Sequence, residues 1–170
     1  TLNYFEGILG VNSPIVRAMP NTPASIGKGM TVLCSNGHVN SKQKTLCQEL
    51  ISAVGKVRWI DNEQLMDPVT AISGSGPAYV FLLIEVLAEA GFKAGLDQDL
   101  ANELAVTTVA GAAALAEESA LSPSVLRQNV TSPGGTTEAA LKVLMSGDRL
   151  SELFLQAVNK AVARSRELAG

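Results

Sequence analysis

Of the 22 alanines in this 170-residue chain, 18 lie beyond residue 77, and no other feature restricts the possible folds so strongly. Alanine is the best helix former, gives up no side-chain entropy in a helix and lets neighbouring axes approach closely. Strand-like runs vanish over the same stretch, so residues 61–170 read as an all-helical unit. Residues 1–60 have another texture: short β-branched runs alternate with helical spacing, in the order helix, strand, strand, helix, strand. Such an order resembles the closing part of an α/β sheet whose earlier strands are not in this chain. The fold class is therefore mostly α.

Individual elements follow from period and punctuation. Leu2, Phe5 and Leu9 at i, i+3, i+7 predict a helix ended by Gly10, and Ile15–Met19 and Gly29–Cys34 predict strands, with Pro20 to Pro23 as a rigid bend between them. Ser41 is expected to cap a helix through about Ser52 that Gly55 stops, before a strand at Lys56–Ile60. Asp61 or Asn62 should cap a helix toward Ile72, bent or shortened by Pro68, and Ser73-Gly74-Ser75-Gly76-Pro77 should break the chain. Helices are then expected from Ala78 to about Ala94, from an Asp97 cap to about Ser119, from Ser122-Pro123 to Val130, from Thr136 to Met145, and from an Asp148 cap to the end.

Composition excludes several function classes. The net charge is −3 and the pI about 5.2, so no basic face invites nucleic acid. The longest charge-free stretch of the second half, Leu104–Ala116, has 13 residues where a bilayer needs about 20, so no membrane partner is expected. Cys34 and Cys47 read as free thiols of a reducing, cytoplasmic compartment, and with His38 as the lone histidine no metal site is expected. Thr1 is not an initiator methionine, which suggests processing or a piece of a longer chain. A mean hydropathy of +0.22 is high for a chain that must solvate its own exterior, and an obligate homodimer would cover its apolar stripes.

Three loops of small polar residues remain, Met19–Pro23, Ser73–Pro77 and Thr131–Thr137. Thr131-Ser132-Pro133-Gly134-Gly135-Thr136-Thr137 is a glycine hinge between helices. There Gly134 and Gly135 admit positive φ, Thr136 can open a helix as its N-cap, and successive N–H groups plus hydroxyls can hold a small carboxylate or phosphate. A plain helix–helix turn has the same composition. Ser73-Gly74-Ser75-Gly76 and Gly27-Lys28-Gly29 lack the third glycine of a dinucleotide fingerprint, having Tyr79 and Val32 at that position. The chain carries no complete catalytic signature of its own.

Together with Lys93-Ala94-Gly95-Leu96 and Ala163-Arg164-Ser165-Arg166-Glu167-Leu168, the segments Arg17 to Ala24, Val69 to Tyr79 and Val130 to Thr137 stand in an order and at a spacing that closely resembles pyrroline-5-carboxylate reductase. The resemblance runs the whole length. It implies that residues 1–60 are the end of an amino-terminal Rossmann domain binding NADPH or NADH, and that residues 61–170 are a helical domain for dimerisation and substrate binding, often assembled into rings. It implies reduction of 1-pyrroline-5-carboxylate to proline, with the cofactor phosphate site outside this chain and the chain inactive alone. By the same resemblance Gly134, Gly135 and Thr136 hold the substrate carboxylate with help from Ser132, and Thr137 reaches the ring nitrogen as the catalytic residue. Ser73, Gly74, Ser75 and Gly76 line the substrate side of the cleft, and Pro20 and Asn21 lie beside the nicotinamide. Two positions depart from the family pattern: Pro68 where alanine is usual, and Ala120 near a usual glutamate, with Glu117 and Glu118 close by. A non-catalytic dimerisation module is the competing expectation. A sister dehydrogenase would need a motif-borne lysine, which Lys93, Lys142 and Lys160 do not provide.

Overall fold

The computed structural model describes residues 1–169. Its order is α1 (Leu2–Leu9), β1 (Val16–Met19), β2 (Gly29–Ser35), α2 (Ser41–Ser52), β3 (Gly55–Trp59), α3 (Met66–Val69), α4 (Gly76–Lys93), α5 (Gln98–Glu118), α6 (Pro123–Asn129), α7 (Thr136–Leu144) and α8 (Arg149–Ala169). The fold class expected from the alanine distribution is the one observed: a small sheet at the amino end, then helices. Two compact units emerge, one of Thr1–Ala78 with the described residues from Gln156 on, the other of Tyr79–Leu155.

In the first unit β2 is central, antiparallel to β1 (Val16↔Ser35 through Met19↔Val32) and parallel to β3 (Gly29↔Gly55 through Leu33↔Trp59). Val32, Leu33 and Cys34 of β2 are buried, and Val32 and Cys34 form a core with Leu2, Ile15 and Met66. A continuous buried run is what a central strand covered on both faces requires. β2 and β3 begin side by side because both start on glycine. Gly55 has φ 148, and a Cβ there would run into the backbone of Gly29.

Several expectations are corrected. The cap of α2 is Asn40 rather than Ser41: its Oδ1 accepts from Gln43 N at 3.0 Å while Gln43 Oε1 accepts from Asn40 N at 2.9 Å. This reciprocal pair satisfies two end amides at once, which Ser41, one residue further in, cannot do. Gly55 opens a strand instead of closing a helix. Asn62 caps only a 3-10 turn, Glu63–Leu65, and α3 follows in a single turn. Pro68 fits there because it lies in the first turn, where its missing N–H leaves no interior bond unmade. Ser73 to Pro77 is not a break. Thr70–Gly74 is a π-helical turn, with Ser75 N donating to Thr70 O at 2.8 Å, and it leads straight into α4. Asp148 closes a 3-10 turn at φ 54.

Glu63 ties the first unit together by accepting from Leu2 N and from Arg17 Nη1, both at 2.8 Å. Asp67, in the first turn of α3, accepts from Ser165 Oγ of α8 at 2.7 Å and faces Arg166 Nε at 3.7 Å. In the second unit α5 meets the end of α4 through small residues. Ala101 and Ala105 are buried, and a Cβ on Gly91 would lie 3.5 Å from that of Ala101. Tyr79 and Phe154 pack edge to face at 6.5 Å.

The rest of the second unit is unusually open. Val80, Phe81, Leu82, Leu83, Val86 and Leu87 of α4 are all at least 42% exposed. Within the helical run Glu63–Lys93 an 18-residue window reaches a mean hydropathy of 1.6, long and apolar enough to cross a membrane by those two measures, so a longer apolar stretch exists than Leu104–Ala116.

Candidate functional site

The hinge lies in the second unit. Gly134 has φ 72, the left-handed conformation that glycine adopts without strain. Two of the three amides expected to hold a carboxylate are already used. Gly134 N donates to Glu138 Oε2 at 2.7 Å and Gly135 N donates to Ser132 O at 3.0 Å. Gly135, not Thr136, is the N-cap of α7, and no side chain caps that end. Ser132 Oγ lies only 2.6 Å from where a Cβ on Gly135 would be, so glycine is required there to let the serine fold over the turn.

What remains open is one step further along. Thr136 is the first residue of α7, and the backbone N–H groups of Thr136, Thr137 and Glu138 have no hydrogen-bond partner among the described residues. The hydroxyls of Ser132 and Thr137 are likewise unbonded, Thr137 half-buried and Ser132 exposed. Three convergent N–H groups, the positive end of a helix dipole and two hydroxyls make an anion receiver without a cationic side chain. Glu138 places its own carboxylate on Gly134, with Lys142 Nζ 3.2 Å from its other oxygen. Its position three residues into the helix was the signal for this: a carboxylate there reaches back to the turn, as in a capping box.

The other two loops lie in the first unit, where one hydrogen bond joins them. Asn21 Oδ1 accepts from Met30 N at 2.8 Å, and Asn21 Nδ2 donates to Ser73 Oγ at 3.3 Å. Pro20 precedes Asn21, which is extended at φ −132. Gly74 is pinned as well, because the methyl of Met19 occupies the place a Cβ would take. Ser75 and Gly76 continue the π turn into α4, both half-buried. The half-buried state of Asn21 and Ser73 keeps this junction within reach of a ligand.

Neither thiol belongs to either cluster. Burial pushes the Cys34 thiol up, the neighbouring Glu63 carboxylate adds to the shift, and Arg17 opposes it, so Cys34 is a core residue and a poor nucleophile. Among the described residues no group of three or more His, Cys, Asp or Glu is placed to hold a metal ion.

Residues 63–168 match the family model described as pyrroline-5-carboxylate reductase dimerisation. The chain belongs to that family. The match takes in the π turn, α4 to α7 and nearly all of α8, so both the Ser73 junction and the hinge fall inside it. A pyrroline-5-carboxylate reductase of Pseudomonas aeruginosa is 46% identical over 164 residues, 96% of this chain and 60% of that relative. One of Pisum sativum is 44% identical over 154 residues, 91% of this chain and 56% of the relative. The chain thus spans about three fifths of the curated relatives it matches. Among solved structures, a pyrroline-5-carboxylate reductase of Coxiella burnetii superposes with a TM-score of 0.95 at 49% identity, covering 99% of this chain and 62% of that one. A pyrroline carboxylate reductase of Plasmodium falciparum, solved with NADP bound, gives 0.89 at 36% identity, covering 99% and 64%. The family's dimerisation segment therefore includes the amino end of α7 with its open N–H groups.

Proposed function

We propose that this chain is the dimerising and substrate-binding part of an NADPH- or NADH-dependent pyrroline-5-carboxylate reductase, which reduces 1-pyrroline-5-carboxylate to proline as the last step of proline biosynthesis. The observation that carries the reading is the set of unpartnered N–H groups at Thr136, Thr137 and Glu138 beside the free Thr137 hydroxyl, inside a segment matched by that family.

The imine nitrogen of such a substrate is basic and protonated without help, so the protein's task is to fix the carboxylate and orient the ring. The α7 amides hold the carboxylate, and Ser132 adds a donor. The Thr137 hydroxyl donates to the ring nitrogen, where a lone pair appears as the C=N bond becomes an amine, so this hydrogen bond strengthens toward the transition state. When bound, the reduced nicotinamide would supply a hydride, the hydrogen and the electron pair of the new C–H bond. Toward that group the chain offers the turn of Pro20 and Asn21 with Ser73 to Gly76. It contains no glycine-rich strand-to-helix turn for a pyrophosphate, since none of its three strands leads into GxGxxG. We assign residues 1–60 to the end of the Rossmann domain, 61–170 to the dimerising domain, and the phosphate site to the part of the relatives' length that this chain does not span. The 170-residue chain alone is then inactive. A cytoplasmic homodimer, assembled into a larger ring, completes the proposal.

The test is Thr137→Ala in the complete gene product. One lost hydrogen bond should lower turnover by about 0.5–1.5 kcal/mol of transition-state stabilisation, up to roughly tenfold. The affinity for proline should change much less, because the amides that hold the carboxylate are untouched. An unchanged turnover number would remove Thr137 from the site.

A further inference from the structure

We propose that Asn21 is a positioning residue that acts through Ser73. Its side-chain amide turns the Ser73 hydroxyl so that the hydroxyl proton faces an oxygen acceptor of the bound ligand. The inference rests on the functional reading above and goes beyond it by giving Asn21 a role other than touching the cofactor.

The orientation of the Asn21 amide is fixed by chemistry. The N–H of Met30 can only donate, so the atom 2.8 Å from it is the amide oxygen, and the atom 3.3 Å from Ser73 Oγ is the amide nitrogen. An amide nitrogen can only donate. Ser73 Oγ is therefore the acceptor in that contact, and its own proton is left over. It makes no other hydrogen bond among the described residues.

Both ends of the relay are held firmly. Met30 sits in β2, paired with Lys56 of β3 and flanked by Gly29 against Gly55. Ser73 sits in the π turn, which Ser75 N closes on Thr70 O at 2.8 Å and Thr70 Oγ1 ties to Met66 O, also at 2.8 Å. The Met19 methyl packs against Gly74 and holds the turn as well. Turns of this kind are rare and cluster at functional sites. A single asparagine thus converts a fixed strand amide into a directed hydroxyl proton one loop away.

Two ligand groups carry the matching acceptor, the carboxylate of the imino acid and the carboxamide of the nicotinamide ring. They are told apart by titrating proline and nicotinamide mononucleotide separately against the complete gene product, by calorimetry. The decisive variant is Asn21→Asp. An aspartate still accepts from Met30 N, but its second oxygen can only accept, so Ser73 must donate to it and the proton is turned away from the ligand. Asn21→Asp is expected to weaken one of the two ligands by about tenfold, as does Ser73→Ala, and the double variant is expected to be no weaker than either. Hydrogen exchange at the Met30 amide, hydrogen-bonded to Asn21 Oδ1, is expected to be as slow in Asn21→Asp as in the parent, which separates redirection from loss of structure.

Asn21→Asp binding both ligands like the parent overturns the inference. So do additive losses in the double variant, which would mean that the new charge acts on the ligand directly. If the parent binds neither ligand, the functional reading falls and this inference with it. If the parent binds and the variants do not behave as stated, only the inference falls.

Discussion

Cys34 and Cys47 are the same residue type with opposite environments, and the difference is set by strand position. Cys34 is 1% exposed in the central strand, while Cys47 is half-buried on α2. Alkylation of the folded protein is expected to modify Cys47 and spare Cys34 until the chain unfolds, as mass spectrometry of peptides will read. The raised Cys34 value also has a pH consequence. The folded thiol keeps its proton to higher pH than the unfolded one, so its contribution to stability is intact below the ordinary thiol pKa and declines as pH rises through the folded value. Unfolding midpoints measured across the alkaline range should fall less in Cys34→Ala, taken relative to its own value at neutral pH. Equal slopes would remove the thiol from the pH dependence. Legibility at this scale was uneven. That a glycine turn leads into a helix start at the hinge was readable because Gly, Thr and the helix start lie consecutively. Which amides stay open, those of Thr136, Thr137 and Glu138 rather than those of Gly134 and Gly135, was not, because it depends on which internal acceptor each N–H finds. Asn21 shows the same limit: its neighbours Met30 and Ser73 lie 9 and 52 residues away.

At the scale of elements, helix ends with their own caps were legible and helices joined by unusual turns were not. Asp97 and Ser122 cap α5 and α6 as their spacing predicts, through Leu100 N at 2.9 Å and Val125 N at 3.4 Å. The segment from Ser73 to Pro77 has the composition of a loop, yet it carries the chain through a π turn into α4, because tertiary contacts to Met19 and Asn21 decide its path. The paired glycines of β2 and β3 yield a sharp comparison. Gly55→Ala meets both an unfavourable φ of 148 and the backbone of Gly29, whereas Gly27→Ala has φ 72 and nothing within 4 Å. Strain alone is expected to cost about 1 kcal/mol at Gly27. At Gly55 the β2–β3 pairing must also open, and the loss is expected to reach roughly 3 kcal/mol or more. Denaturant midpoints at equal m-values will measure the two, and similar losses would mean that the strands adjust freely.

For the molecule as a whole, the alanine asymmetry foretold a helical second half, but not how little of it the chain can bury by itself. From Tyr79 to Leu155, the large apolar side chains Phe81, Leu82, Leu83, Val86, Leu115 and Leu153 are all more than half exposed, while the buried residues named in α4 and α5 are alanines. Val80 to Leu83 are four successive apolar residues on one helix, so α4 is apolar over most of its circumference, apart from the stripe of Glu85, Glu89 and Lys93, and that apolar surface needs cover. In a chain of the pyrroline-5-carboxylate reductase dimerisation family, the cover we propose for it is a second copy. Burial of apolar area stabilises by about 25 cal/mol per Å², so covering these side chains decides whether the second unit folds stably at all. Sedimentation equilibrium at micromolar concentration is expected to yield a multiple of the 17.7 kDa chain mass. Phe81→Glu, a substitution worth under about 0.5 kcal/mol on a truly solvated surface, is expected to break the assembly and lower the melting temperature together, and to make melting depend on protein concentration. A clean monomer in the parent, or an assembly indifferent to Phe81→Glu, would show that α4 finds its cover elsewhere. Co-sedimentation with neutral lipid vesicles then tests the remaining occupant, because the run Glu63–Lys93 meets the length and apolarity of a bilayer span. The interface reading requires that the assembled protein stay in the supernatant, since the same side chains cannot face a partner helix and lipid at once.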